Sequence, residues 1–295
     1  MINKMKFNFV KYFKQMFVIS VSIFTISILS LLFIGIPSSI DFTGGTIINI
    51  KVDTDINLSN LRQALEENLN QSVSVVEVKS NNESYVLLKM SYLSDEQVIN
   101  DLLNTVYGNS YTINQIESIG PKIGDELRVN ARNAIIASLL LIGLYISIRF
   151  DGYYAIGSLF ALLHDVFITL GIFVFMNVEI SISIIAALLT IVGYSLNDTI
   201  VIYDRIRENM SLNPYRDKKK IFNTSLNQTL KRTLVTSLTT LIVVLVLYIY
   251  GGDVLQPFSI ALIIGIILGT YSSIFIASPV TLFLEEKYNI EEEDD

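Results

Sequence analysis

Hydrophobic residues form six long runs along the chain, and each run approaches the roughly 20 residues that a helix needs to cross a bilayer. They predict six transmembrane spans, at residues 16–36, 131–148, 153–176, 180–203, 233–250 and 257–284. The first run follows several lysines, but it is longer than the apolar region of a cleaved signal peptide, so we expect a retained anchor. The pattern therefore predicts an α-helical polytopic membrane protein.

Lysine and arginine are concentrated in two segments that are separated by an even number of spans. One is the N-terminal segment 1–15, and the other is a polar loop at 204–231 between spans four and five. Because short basic loops stay in the cytoplasm, both termini are expected there. Residues 285–295 are expected to form an acidic cytoplasmic tail, and its last five residues, 291–295, are interpreted as solvated and disordered.

Residues 37–130, between spans one and two, are predicted to form a small extracytoplasmic domain. Its elements follow in this order: a strand at 48–52, a helix at 58–69, strands at 73–79 and 85–90, a helix that begins with a capping box at Ser94 and Gln97, and a strand at 111–116. The order β-α-β-β-α-β is typical of an α+β, ferredoxin-like fold. The segment has no Gly-rich phosphate loop or convergent carboxylate pair, which favours docking over catalysis.

Three places in the predicted spans carry polar residues whose burial in a bilayer is costly. Asp198 lies in span four, more than a turn before its charged end, and span five opens with the hydroxyl-rich segment 232–240. His164 and Asp165 lie near the middle of span three. Asp198 is either a structural hydrogen-bonding group or a carboxyl whose protonation switches helix packing. His164 and Asp165 form either a proton relay or a structural pair in a packed core.

Arg232 lies at the opening of span five, where an arginine often only reaches for lipid headgroups. Asp198 is 18 residues from the outer start of span four, and Arg232 is 18 residues before the outer end of span five. At about 1.5 Å per residue, both lie roughly 27 Å from the outer face. We therefore expect Asp198 and Arg232 to face each other, or to share one polar cavity.

Composition narrows the chemistry further. The chain is 51% apolar and 17% charged, with no Cys, no Trp, one His and a net charge of -7. Cysteine-ligated metals and disulfides are thus excluded, and a single histidine argues against a Ser-His-Asp hydrolase. No metal site, no cofactor and no enzymatic activity are expected.

Six sequence motifs together resemble the SecF family, the membrane subunits that work with SecD beside the bacterial protein-export channel. They are Ile-Asp-Phe-Thr-Gly-Gly-Thr at 40–46, Gly-Pro-Lys-Ile-Gly at 120–124, Tyr-Ile-Ser-Ile-Arg-Phe at 145–150, His164 with Asp165, the stretch 194–207, and Arg232-Thr233 with Thr236-Ser237. The resemblance covers essentially the whole chain, and any one motif alone would be weak.

The resemblance implies a half-transporter of the RND superfamily that SecD completes and that uses the proton-motive force to draw exported chains across the bacterial cytoplasmic membrane. It implies protons as the coupling ion, with SecYEG, YidC, the exported polypeptide and the lipid bilayer as partners, and no nucleic acid. The family's intramembrane Asp and Arg match Asp198 and Arg232. The residues expected to support them are Tyr194, Asn197, Thr199, Thr233, Thr236, Ser237, His164 and Asp165, and those of the family motif after span one are Asp41, Gly44 and Gly45.

Two other classes of protein remain open at this point. A proton-coupled small-molecule exporter of the same superfamily would need a second half and a larger outer domain. An assembly factor or receptor would use the spans only as an anchor, and the buried Asp198 argues against that class because an anchor has no use for an ionisable group at depth.

Overall fold

The chain divides into two units, and the computed structural model describes residues 7–52, 58–80, 83–93, 100–101, 103–104 and 111–293. The first unit, the membrane bundle, comprises Met1–Pro37 and Asn133–Asp295. The second unit, the α+β domain, comprises Ser38–Arg132. Within the described residues, six helices are long and apolar enough to cross a membrane.

The membrane bundle is built from long helices. Their bounds are α1 Phe9–Phe33, α4 Pro121–Arg149 (which begins in the α+β domain), α5 Gly152–Phe175, α6 Ile182–Leu212, α7 Lys218–Tyr250, α8 Gly252–Ser272 and α9 Ser278–Glu293. A π-helix, Ser273–Ala277, joins α8 to α9, so the sixth span is one continuous helical segment with a wide turn inside it.

Most of the segment 204–231, predicted as a polar loop, is helical, because only residues 213–217 separate α6 from α7. Asp217 caps α7 by accepting a hydrogen bond from the Lys219 amide at 2.9 Å. The ends of α6 and α7 are joined where Asn209 Nδ2 donates to Ser225 Oγ and to Gln228 Oε1, both at 2.8 Å. These contacts extend the helices beyond the hydrophobic runs.

The acidic tail is also more ordered than predicted, because α9 is helical to Glu293. Lys218 Nζ lies 3.4 Å from Glu285 Oε1, and Lys219 Nζ lies 3.5 Å from Glu286 Oε1. Glu285 is buried. The basic start of α7 therefore holds the beginning of the acidic segment, a pairing that the local pattern of charges does not reveal.

The α+β domain contains a four-stranded antiparallel sheet. The strands are β1 Gly45–Val52, β2 Ser74–Ser80, β3 Glu83–Met90 and β4 Tyr111–Ile119, in the order β2-β3-β1-β4. Helix α2, Ile40–Thr43, precedes β1, and helix α3, Leu58–Leu69, connects β1 to β2. This strand order confirms the ferredoxin-like prediction.

The core of the α+β domain follows from the alternation that predicted its strands. Ile48 and Ile50 of β1 are buried, as are Val86 and Leu88 of β3, and Leu65 of α3 packs against them. Asn100, Asp101, Leu103 and Asn104 are helical where the second helix was expected. The capping box predicted at Ser94 and Gln97 lies outside the described residues.

Close packing between α6 and α8 positions the polar residues described below. A Cβ added at Gly265 would collide with the Ile191 side chain, and one added at Gly269 would lie 2.9 Å from Ser195 Cβ. The absence of a side chain at these positions lets the two backbones approach, as small residues do between membrane helices.

Candidate functional site: buried polar residues of the membrane bundle

Asp198 is a buried carboxylate in α6, with 3% of its surface exposed. Its Oδ2 accepts one long hydrogen bond, 3.5 Å, from the Ser237 hydroxyl of α7. Ser237 Oγ lies 2.6 Å from Thr270 Oγ1 of α8, so three helices meet at this group. A carboxylate can accept about four hydrogen bonds, and this one is weakly held at the end of a hydroxyl pair.

Arg232 occupies the exposed side of α7, five residues before Ser237. Among the described residues no ion pair joins it to Asp198, although its charge acts on that carboxylate electrostatically. From the helix ends, Asp198 is 16 residues after Ile182 and Arg232 is 18 before Tyr250, or roughly 24 and 27 Å. The two residues share a level, but the side chain that reaches Asp198 from α7 is Ser237.

Three other residues predicted in α7 and α6 divide between buried and exposed positions. Thr233, one turn before Ser237 on the same face, is 1% exposed, and its hydroxyl has no hydrogen-bond partner among the residues described. Thr236 is half-buried and donates to the Arg232 carbonyl at 3.0 Å. Asn197 is exposed, on a different side of α6 from Asp198.

Asp165 is the most extensively bonded carboxylate in the described part of the bundle. Its Oδ2 accepts hydrogen bonds from Ser195 of α6 and Ser272 of α8, both at 2.7 Å. Its Oδ1 lies 3.0 Å from Nδ1 of His164. Asp165 is 1% exposed and His164 is 5% exposed. The pair therefore ties α5 to two other helices.

Hydroxyl contacts continue from this pair toward the basic ends of the helices. Thr199 Oγ1 lies 2.8 Å from Ser273 Oγ in the π-helix, and Ser273 donates to the Ser195 carbonyl at 3.3 Å. Farther along, Tyr203 Oη lies 2.8 Å from Thr281 Oγ1 of α9. Tyr194 is half-buried, and its hydroxyl lacks a hydrogen-bond partner among the described residues.

The motif after span one lies in the α+β domain, and its glycines meet the start of α4. Gly44 has a φ of 72°, and a Cβ there would lie 2.9 Å from Pro121 Cα. A Cβ at Gly45 would lie 2.8 Å from the Met90 carbonyl oxygen. Asp41 belongs to the short helix α2, where its amide donates to Ser39 Oγ at 3.2 Å. The geometry accounts for the two glycines by backbone packing.

Sequence reasoning missed the polar partners in the sixth span. Thr270, Ser272 and Ser273 contact Ser237, Asp165 and Thr199, which lie on three other helices. The available signal was the run Thr270–Ser273, four consecutive polar residues inside an apolar span. Across the described residues, no group of three or more His, Asp or Glu side chains is placed to hold a metal ion.

A bundle that buries Asp165 and Asp198 inside its spans, together with a ferredoxin-like domain, defines a polytopic membrane protein of the transporter-like class. The family model described as "Protein export membrane protein SecD/SecF, C-terminal" matches residues 98–287. The chain belongs to this SecD/SecF family of protein-export membrane proteins.

Individual relatives agree with this assignment. The protein translocase subunit SecF of Vibrio alginolyticus is 42% identical over 280 residues, which cover 94% of this chain and 89% of the relative. The protein translocase subunit SecDF of Thermus thermophilus is 38% identical over 264 residues, 88% of this chain but 36% of the relative. The crystal structure of SecDF from Thermus thermophilus, titled a translocon-associated membrane protein, matches with a TM-score of 0.86 and 38% identity, covering 96% of this chain and 39% of that one.

Proposed function

We propose that this protein is an accessory subunit of the Sec protein-export machinery that works with SecD and uses the proton-motive force to promote translocation of polypeptides. Relatives of similar length are named SecF, and the chain corresponds to about two fifths of a SecDF chain. A SecD partner would then supply the remaining portion. SecYEG, YidC and the exported polypeptide are the other partners of this proposal.

The observation that carries the proposal is the burial of Asp198 in a transmembrane helix with one weak hydrogen bond. Burying an ionisable side chain at this depth is costly, so a purely structural role would favour a better satisfied or uncharged residue. Protonation removes the charge and turns the carboxyl into a hydrogen-bond donor. The contact with Ser237 then changes, and with it the packing of α6 against α7.

Arg232 supplies the second element of this mechanism. Its guanidinium stays charged, and on the exposed side of α7 it is open to an acidic group brought by SecD. Gain and loss of the Asp198 charge changes how strongly Arg232 is held between the two carboxyl groups. That change shifts one half of the assembled transporter against the other, as alternating packing states do in two-halved transporters.

The proposed location is the bacterial cytoplasmic membrane, with both termini in the cytoplasm. Arg149, Arg205 and Arg207 lie near the α6 end that is farthest from Ile182, together with the lysines that open α7. Basic residues at one set of helix ends favour the cytoplasmic side for those ends. The α+β domain is then proposed to lie outside and to contact the exported chain.

Asp198→Asn tests the proposal, because it preserves the shape of the side chain and removes its titration. The matched control is Asp204→Asn in the same helix, where Asp204 is 47% exposed and pairs with Arg149 at 3.1 Å. In inverted membrane vesicles we expect Asp198→Asn to lose the stimulation of export by an imposed proton gradient and to retain the export measured without a gradient. Asp204→Asn should keep both. Full proton-driven export by a normally expressed Asp198→Asn variant would contradict the proposed role.

A further inference from the structure

The single histidine of the chain lies deep in the membrane bundle, away from the residues used in the proposed function. His164 is 12 residues from the start of α5 at Gly152 and 11 from its end at Phe175, or roughly 17 Å from either end. It is 5% exposed. An ionisable group at this position is costly to bury and therefore calls for a specific role.

With Asp165 ionised, the hydrogen bonds around it determine which nitrogen of His164 carries the hydrogen. Ser195 and Ser272 both donate to Oδ2 of Asp165, so the carboxylate acts as an acceptor. Nδ1 of His164, 3.0 Å from Oδ1, is then the third donor. Nε2 is left with a lone pair and no attached hydrogen.

Nε2 of His164 is buried and has no hydrogen-bond partner in the described part of the structure. A buried acceptor without a partner is destabilising unless another molecule satisfies it. The imidazole ring is held in place by nearly parallel rings of Phe24 and Tyr271, with centroids 6.5 and 6.3 Å away. Asp165 and the rings of Phe24 and Tyr271 thus hold the imidazole in the orientation in which Nε2 has no hydrogen-bond partner.

A cavity of about 300 Å³ adjoins His164 between α1, α5 and α8. Its polar lining residues besides His164 are Ser20 and Tyr271, whose hydroxyl oxygens lie 2.7 Å apart, and the rest are aliphatic and methionine side chains. Its lining is almost entirely apolar, and a bound water needs about two to four polar partners, so the Ser20 and Tyr271 hydroxyls are the groups that can hold one. Nε2 of His164 has almost no accessible surface, so a hydronium ion reaches it only when the side chains around the cavity move.

We propose that His164 and Asp165 form a second proton-binding site of the membrane bundle, in which Nε2 of His164 takes a proton from a hydronium ion that enters this cavity. The proton donor loses one positive charge, the lone pair of Nε2 forms the new N–H bond, and no electrons are transferred. The resulting imidazolium is balanced by the Asp165 carboxylate, 3.0 Å from Nδ1. This inference deepens the proposed function. It rests on that function only for the step in which the bound proton is used to promote export.

This second site is connected to the first through α6. Ser195, which donates to Asp165, lies three residues before Asp198, a spacing that places both on neighbouring positions of one helix face. Charge changes at His164 and at Asp198 therefore act on the same helix. Ser272 and Thr270 give α8 the same double connection, to Asp165 and to Ser237.

Few titratable groups surround His164. Tyr271 of α8 stacks on its ring, Asp165 is its neighbour in α5, and Asp198 lies beyond Ser195 in α6. From α1 the residues at this level, which include Ser20 and Phe24, carry no charge. Among the described residues, Asp165 is thus the charged group in direct contact with His164.

Because the chain has one histidine, nitrogen NMR of histidine-labelled protein reports on His164 alone. The full chain, purified with a histidine-free tag and placed in lipid bilayers, is titrated between about pH 8 and 5. We expect a neutral ring with its hydrogen on Nδ1 at the upper end and protonation of Nε2 on acidification. A hydrogen on Nε2 at the upper end, or an unprotonated Nε2 throughout, would overturn the proposal.

Two variants separate this inference from the proposed function. Asp165→Asn removes the balancing charge, and we expect the protonation of Nε2 to be lost over the same range; protonation as in the wild type would refute the paired site. Asp198→Asn should leave the His164 spectrum and its protonation in place. If Asp198→Asn abolishes proton-driven export while His164 never protonates, the proposed function stands and the second site is wrong.

Discussion

Close contact between α6 and α8 makes Gly269→Ala an informative perturbation. The added Cβ would lie 2.9 Å from Ser195 Cβ and 3.2 Å from Ser195 Cα. The second of these is a backbone atom, so the collision cannot be relieved by rotating a side chain. The two helices must separate by a few tenths of an ångström, and Ser195 moves with α6 away from Asp165.

The expected size of the effect follows from two opposing contributions. Overpacking a close contact costs about 1–3 kcal/mol, whereas replacing glycine by alanine inside a helix contributes about 1 kcal/mol in the other direction. We therefore expect Gly269→Ala to lower the free energy of unfolding by up to about 2 kcal/mol. Gly193→Ala in α6 is the matched control, because nothing lies within 4 Å of a Cβ added there; it should be neutral or slightly stabilising.

Both variants are compared by titrating the purified protein in bicelles with a denaturing detergent. The chain contains no Trp, so helix content from circular dichroism is the suitable signal. A free energy of unfolding for Gly269→Ala equal to that of Gly193→Ala would refute the close approach of α6 and α8. It would also remove the packing reason for the small-residue spacing in the sixth span.

Two further predictions concern other contacts. Gly44→Ala should destabilise the α+β domain by about 1–3 kcal/mol and speed its proteolysis, because φ at Gly44 is 72° and Pro121 Cα lies 2.9 Å from the new Cβ. Gly152→Ala is the control, because nothing lies within 4 Å of a Cβ added there. Equal proteolysis rates for the two variants would contradict the prediction. Asn227→Leu should expose the segment before α1 to protease, because Asn227 bonds both the amide and the carbonyl of Phe7 at 2.8 Å; unchanged cleavage would refute this anchoring.

The sequence predicted the membrane spans well because hydropathy is a local property, and it misjudged helix ends where the cause is not local. The helix α6 continues beyond Tyr203 through Arg205, whose Nε donates to Gln228 Oε1 of α7 at 2.7 Å. The start of α7 and the middle of α9 stabilise each other through Lys218 and Glu285. Charged residues that the local sequence predicts to lie in a loop or a tail are therefore helical when their partners lie on another helix.

The candidate site was predictable residue by residue but not in its connections. Asp198 and Asp165 stand out in apolar spans because burying them is costly. That Ser272 binds Asp165, 107 residues away, depends on the relative rotation of α5 and α8, which no local pattern encodes. Helix rotation is also why the depth estimate placed Asp198 and Arg232 at one level in the membrane but did not specify which side of α7 faces α6.

The π-helix gives the sixth span a place where chain length is adjustable. Ser272, just before it, reaches Asp165, and Thr281, after it, reaches Tyr203. An ordinary helix turns about 100° per residue, so a one-residue deletion elsewhere in this span would rotate everything beyond it away from its partners. A wide turn already holds one surplus residue, and losing a residue from 273–277 would leave a regular helix with both contacts in phase. Homologous chains that differ in length within this span are thus expected to carry the gap in this segment.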